Sequence, residues 1–164
     1  MAHRITHITV LALALPFVHA QAQTSFTVGA TTVNCTTIAT DLHVPWDMVL
    51  GPDGWIWFTQ AGGEVYRLDP DNGTLELIYT VPDVVLQGFT AGLHSMAFHP
   101  DFANQPYVYL HYCISSTESV VKRFYYDVGL NTFTSSSPHL LGITLTAYAS
   151  HNGSRMVVDD EGMF

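Results

Sequence analysis

The chain has 164 residues, 48% of them hydrophobic, and a formal net charge of -9 from five Lys and Arg against fourteen Asp and Glu. Length and apolar content suit one packed domain and exclude a disordered chain. An acidic surface repels phosphates, which argues against nucleic acid as a partner.

The first 22 residues read as an export signal. Arg4 precedes the apolar run Ile8 to Val18, which is short for a bilayer span, and His19-Ala20-Gln21-Ala22 offers small residues for cleavage after Ala20 or Ala22. A buried helix is disfavoured by Pro16 inside the run and by the polar stretch Gln21 to Ser25, read as unstructured. No other segment is long and apolar enough to span a membrane, so residues 23–164 are expected to act outside the cytoplasm, secreted or periplasmic. In that compartment Cys35 and Cys113 either form one disulfide or stay as buried strand thiols, and their spacing gives no zinc signal.

From Thr27 onward, short β-branched or aromatic runs alternate with turn signals. A strand is read in Thr31 to Ile38, then Trp46 to Leu50, the turn Gly51-Pro52-Asp53-Gly54, Trp55 to Thr59, the turn Ala61-Gly62-Gly63, Glu64 to Leu68, the turn Asp69 to Gly73, and Thr74 to Val81. The last four strands form an antiparallel meander. A second unit opens at Ser95 to Phe98 and continues through Tyr107 to Tyr112, Val120 to Tyr126 and Leu140 to Ile143. A third opens at Met156-Val157-Val158 before Asp159-Asp160-Glu161-Gly162. No stretch holds a helical period.

Pro52 and Pro100 lie 48 residues apart, and a four-stranded unit repeating at this interval is the signature of β-propeller blades. A β-sandwich also uses many short strands, but it does not predict the recurring strand and turn at each opening. The fold expected is all-β, a β-propeller of which two blades and the start of a third are present. Propellers close with four to eight blades, so the chain reads as a fragment with an unprotected edge prone to association.

The ordered set Pro45-Trp46-Asp47-Met48 with Gly51-Pro52-Asp53-Gly54, Gly92-Leu93 leading to Met96-Ala97-Phe98-His99-Pro100-Asp101-Phe102, Tyr107-Val108-Tyr109, and His151-Asn152-Gly153-Ser154-Arg155 resembles the soluble quinoprotein sugar dehydrogenases of the glucose/sorbosone type. The resemblance covers nearly all of the chain after residue 22, but only the N-terminal part of that family's six-bladed propeller. It implies an enzyme that oxidises the anomeric carbon of an aldose to the lactone, with hydride passing to pyrroloquinoline quinone and on to an external electron acceptor. His151 then corresponds to the general base, a role imidazole meets near neutral pH without large perturbation.

Sugar contacts are implied at Gln87 and Thr90, and cofactor contacts at Asn152 and Arg155. Two positions depart from the family pattern. Thr90 stands where the family has a sugar-contacting glutamine, and Ser150 stands where well-studied members carry an acid before the base. Arg155 reads as a structural or cofactor-side cation, with a surface salt bridge as the plainer alternative. Calcium ligands and most quinone contacts are expected from later blades, so the metal site takes no residue from this chain and no turnover is expected of these residues alone.

Other conspicuous residues receive plainer readings. Trp46, Trp55 and Trp57 are expected to pack between blades. His94 and His99 lack partners at ligand spacing, and His99-Pro100-Asp101 reads as a blade turn. Asp53, Asp69, Asp71 and Asp101 read as turn carboxylates bonding the backbone. Three glycosylation sequons, beginning at Asn34, Asn72 and Asn152, are short enough to arise by chance. Two other functions fit the same strand pattern: a non-catalytic propeller binding a carbohydrate or protein, and a metal-assisted propeller lactonase.

Overall fold

The structure is a computed structural model and describes residues 23–88, 90–139, 145–148 and 150–163. The export signal and the strand expected at Leu140 to Ile143 fall on residues outside this set. The described chain divides into one unit ending at Thr37 and a second beginning at Ile38.

The first unit is an antiparallel hairpin of β1 (Gln23–Val28) and β2 (Thr31–Thr36), with Val28 paired to Thr31 across Gly29 at φ 60. Gln23 to Ser25 are strand, against the unstructured reading. The run Thr24 to Val28 is rich in β-branched and aromatic residues, and a glycine with left-handed backbone closes a two-residue turn beside it.

In the second unit, β3 (Pro45–Leu50), β4 (Ile56–Gln60), β5 (Glu64–Leu68) and β6 (Leu75–Thr80) pair in sequence order as an antiparallel meander, as the alternation of strands and turns predicts. The next sheet holds β7 (Leu93–Phe98), β8 (Tyr107–Cys113), β9 (Glu118–Asp127) and β10 (Thr132–His139), with the short β11 (Leu145–Thr146) also paired to β9. The fourth strand of this sheet thus begins at Thr132. The serines of Thr132–His139 give it little strand propensity. Its pairing with β9 shifts register twice, which marks an irregular edge strand.

Alternation along each strand sends one side chain set into the interface between the two sheets. Trp57, Val65 and Ile78 from the first meet Leu93, Met96, Leu110, Val120 and Phe124 from the second. Trp57 is 1% exposed and meets Phe98 and Tyr126 edge-on at 5.3 and 5.1 Å, so its packing role is as expected. Its indole N–H donates to the turn carboxylate of Asp53 at 3.0 Å. Trp55 lies under the guanidinium of Arg67 at 4.4 Å.

The opposite face of the first sheet carries two apolar rows. Register places Met48, Phe58, Tyr66 and Leu77 in one row and Leu50, Ile56, Leu68 and Leu75 in the next. Met48 and Leu50 are 62% and 73% exposed there. Cys35 is an exposed free thiol, against the buried reading, and Cys113 a buried one on β8.

The chain passes between the two sheets at Gly92. Its φ is 131, and a Cβ built there meets the Ala61 carbonyl oxygen at 2.3 Å, so only glycine fits. Leu93 N–H donates to that same carbonyl at 3.0 Å, and Cys113 N–H donates to Gly92 O at 2.9 Å.

Residues 152–158 form no paired strand, and their exposure alternates residue by residue as along an extended chain. The turn after them reproduces the first blade turn. Gly51 N–H donates to Trp55 O and Gly54 N–H to Gly51 O; Asp159 N–H donates to Met163 O and Gly162 N–H to Asp159 O. The third turn is therefore present in the backbone hydrogen bonds as well as in the sequence, while the strand expected at Met156-Val157-Val158 is not formed among the described residues.

Candidate functional site

His151 carries the bend at the head of the extended segment. Its φ is 64, a left-handed value that a non-glycine residue adopts at a cost of about 1–2 kcal/mol. Gly153, two residues on, has open space around it and is not the bending residue. The His151 ring is exposed, and its Nδ1 faces Ser150 Oγ at 3.3 Å.

Three contacts dock residues 152–155 onto strands β3 and β7 and the loop before β7. Asn152 N–H donates to Thr90 Oγ1 at 2.9 Å, and its side-chain amide reaches the same oxygen at 3.4 Å. Ser154 Oγ and Ser95 Oγ lie 2.5 Å apart. Arg155 Nη1 donates to Asp47 Oδ1 at 2.5 Å. Asn152 also closes its own loop, accepting Tyr148 N–H at 2.9 Å and donating to the Tyr148 carbonyl.

Asp47 is the buried end of this arrangement, with a side chain 3% exposed against 64% for Arg155. Its Oδ1 also accepts Met48 N–H at 2.9 Å, and its Oδ2 accepts Met96 N–H at 3.1 Å. Asp47 N–H donates to Thr59 Oγ1 at 3.2 Å, whose hydroxyl donates to His94 O at 2.5 Å. A buried carboxylate needs such partners to remain charged without heavy cost.

Behind the segment lie two buried histidines whose ring centroids are 5.2 Å apart. His94 Nε2 donates to the Thr90 carbonyl at 2.8 Å, and His111 Nε2 shares a hydrogen bond with Ser119 Oγ at 2.9 Å. Both Nδ1 atoms lack a described partner. Burial lowers the pKa of His94, against the opposing pull of the Thr90 carbonyl. Burial and then the neighbouring His94 lower that of His111 to about 4. Both rings are neutral at pH 7.

Of the residues expected to form the site, the structure joins Thr90 to Asn152, the neighbour of His151 in the chain, and holds Arg155 on Asp47. Thr90 uses its hydroxyl on Asn152 and its carbonyl on His94. Gln87 is exposed in the same loop. His99 serves its own turn, its Nδ1 accepting Asp101 N–H at 3.1 Å. Among the described residues no group of three or more His, Cys, Asp or Glu is placed to hold a metal ion, and no helix is long and apolar enough to cross a membrane.

Sequence reasoning missed Asp47, Ser95, Ser154 and the His94–His111 pair. A charge at an inward strand position was the available signal for Asp47. The histidine pair needed the β7–β8 register, in which Leu93 faces Tyr112 and Met96 faces Leu110.

Residues 42–164 match the family model described as Glucose / Sorbosone dehydrogenase. The chain belongs to the glucose/sorbosone dehydrogenase family. Quinoprotein glucose dehydrogenase B of Acinetobacter calcoaceticus is 30% identical over 132 residues, covering 74% of this chain and 27% of that protein. The PQQ-bound form of aldose sugar dehydrogenase from Streptomyces coelicolor matches with a TM-score of 0.56 at 24% identity, over 67% of this chain and 32% of that one. The apo form of the soluble aldose sugar dehydrogenase from Escherichia coli gives 0.51 at 26% identity, over 58% and 29%. The chain therefore spans about a quarter to a third of these relatives' length. Its two sheets are consecutive blades of a β-propeller, and the family is one of quinone-dependent sugar oxidoreductases.

Proposed function

We propose that the protein carrying these blades oxidises an aldose at its anomeric carbon to the lactone, with His151 as the general base. The observation that carries the reading is the exposed imidazole at the head of a segment pinned at three successive points, Asn152, Ser154 and Arg155. A base must be held still while its ring stays accessible, and this arrangement does both.

Hydride acceptance lies beyond any side chain, and pyrroloquinoline quinone, when bound, supplies that acceptor. An anionic planar cofactor needs cationic partners. Arg67 and Lys122 are committed to carboxylates elsewhere, and Arg123 stacks on Tyr107 at 4.4 Å. Arg155 spends one nitrogen on Asp47 and leaves most of its guanidinium exposed on the same side of the extended segment as His151. The residues present thus fit one edge of such a group, with Arg155 and Asn152 as the holding residues. For calcium the described residues do not fit, since no three His, Cys, Asp or Glu among them are grouped to hold a metal ion.

In this reading His151 takes the proton of the anomeric hydroxyl as the C1 hydride leaves. Thr90 holds Asn152, and through it the loop that turns at His151. Gln87, exposed in the Thr90 loop, is the side chain free to contact sugar hydroxyls. The protein is proposed to work in a secreted or periplasmic setting and to pass electrons to an external acceptor, and residues 23–164 alone are proposed to give no turnover.

The test is dye reduction by aldoses in the full-length protein loaded with quinone and calcium. His151→Ala is expected to lower kcat by roughly 10²–10⁴. An undiminished rate, or no reduction by any aldose in the wild type, sinks the reading.

A further inference from the structure

We infer that Asp47 is the positioning residue for His151. The inference rests on the reading of His151 as the base, and its structural half is tested independently of that reaction. Three parts of the chain meet on the one buried carboxylate: Met48 N–H from its own strand at 2.9 Å, Met96 N–H from β7 at 3.1 Å, and Arg155 from the third blade opening at 2.5 Å.

Residues 151–158 alternate in exposure, with His151, Gly153 and Arg155 on one side and Asn152 and Ser154 on the other. In an extended segment a slip of one residue exchanges the two sides. The contacts of Asn152 with Thr90 and of Ser154 with Ser95 are between neutral groups, and the chain offers near substitutes for them in Ser150, Asn152 and Ser154 themselves. Arg155 has no substitute within the segment. Withdrawing it leaves a carboxylate 3% exposed with two N–H donors and no counter-charge, the costliest of the three losses. Asp47 therefore fixes which side of the segment His151 occupies, from 104 positions away in sequence.

The same carboxylate ties the segment to the interface between the blades. Thr59 receives the Asp47 N–H and donates to His94 O, so β3, β4 and β7 are joined at the point where Arg155 arrives. A shift of one blade against the other is transmitted to the base through Asp47 rather than through the loop of Thr90.

The experiment compares wild type, Asp47→Asn, Arg155→Gln and Arg155→Lys in the full-length protein. Amide hydrogen exchange is read first, without quinone or sugar. In Asp47→Asn and Arg155→Gln the Asn152 amide, which donates to Thr90 Oγ1, is expected to exchange about ten- to a hundredfold faster, with the amides of β4 and β5 unchanged. Arg155→Lys, which keeps a charged donor, is expected to recover most of the protection. Unchanged exchange in the segment overturns the inference. If Asp47→Asn fails to fold, the Arg155→Gln exchange decides it in the same way.

Turnover of the quinone-loaded protein is read second. At saturating quinone, Asp47→Asn is expected to lose kcat about tenfold or more with the sugar KM kept. A loss confined to KM overturns the positioning role. A wild type that oxidises no aldose instead refutes the base assignment, and the exchange result then stands on its own for the anchoring.

Discussion

Thr90 and Asn152, 62 residues apart, are joined through one hydroxyl: Thr90 Oγ1 accepts the Asn152 backbone N–H at 2.9 Å while the Thr90 carbonyl accepts from buried His94. Both of these Thr90 oxygens thus face the protein. Thr90→Val keeps the shape and removes the acceptor, at a cost of about 1–3 kcal/mol for the orphaned amide. Equilibrium denaturation is expected to show that loss, with Thr90→Ser close to wild type. Equal stability of the valine and serine variants contradicts the bracing role.

The His94–His111 pair makes stability depend on pH. With a folded pKa of about 4 against an ordinary 6.5, His111 binds fewer protons folded than unfolded between those values. Stability is therefore complete above pH 6.5 and falls as the pH drops toward 4, by no more than about 3 kcal/mol from this group. His111→Leu is expected to flatten that slope in denaturation series across this window. A slope equal to that of wild type assigns the pH dependence to other groups.

Trp57, 1% exposed and enclosed by Phe98 and Tyr126, fills the space between the blades. Trp57→Ala is expected to destabilise the protein by about 3–5 kcal/mol. Gly92→Ala is expected to cost about 3 kcal/mol or more, because its Cβ meets the Ala61 carbonyl that Leu93 uses. Thermal unfolding of either variant within a degree of wild type contradicts the packing described.

The apolar outer face of the first blade, with Met48 and Leu50 largely exposed, predicts self-association of residues 23–164 in isolation. Light scattering over a concentration series is expected to show a mass that rises with concentration. Leu50→Lys is expected to suppress that rise. A monodisperse monomer without the substitution contradicts the prediction.

The fold was legible wherever strands carried aromatic or β-branched residues and turns carried Gly, Pro and Asp. Strands β3 to β6 follow their sequence signals closely, as does the recurrence of the turn at Asp159. Strand β10 was not legible, because Thr132–His139 owes its conformation to pairing with β9 and lacks an apolar alternation of its own. At the site, His151 was marked by its motif, but the residues that hold it were not. Asp47 and Ser95 reach the segment from strands far away in sequence, and only the stacking of one blade on the next brings them there. The bend at the head of the segment lies at His151 itself, whose backbone is left-handed.

The most direct test of the account is single-turnover reduction of bound quinone by an aldose, followed spectroscopically in full-length wild type and His151→Ala. The account predicts unchanged quinone binding with a reduction rate lowered by roughly 10²–10⁴ in the variant. Equal rates in the two proteins, with quinone bound in both, contradict it.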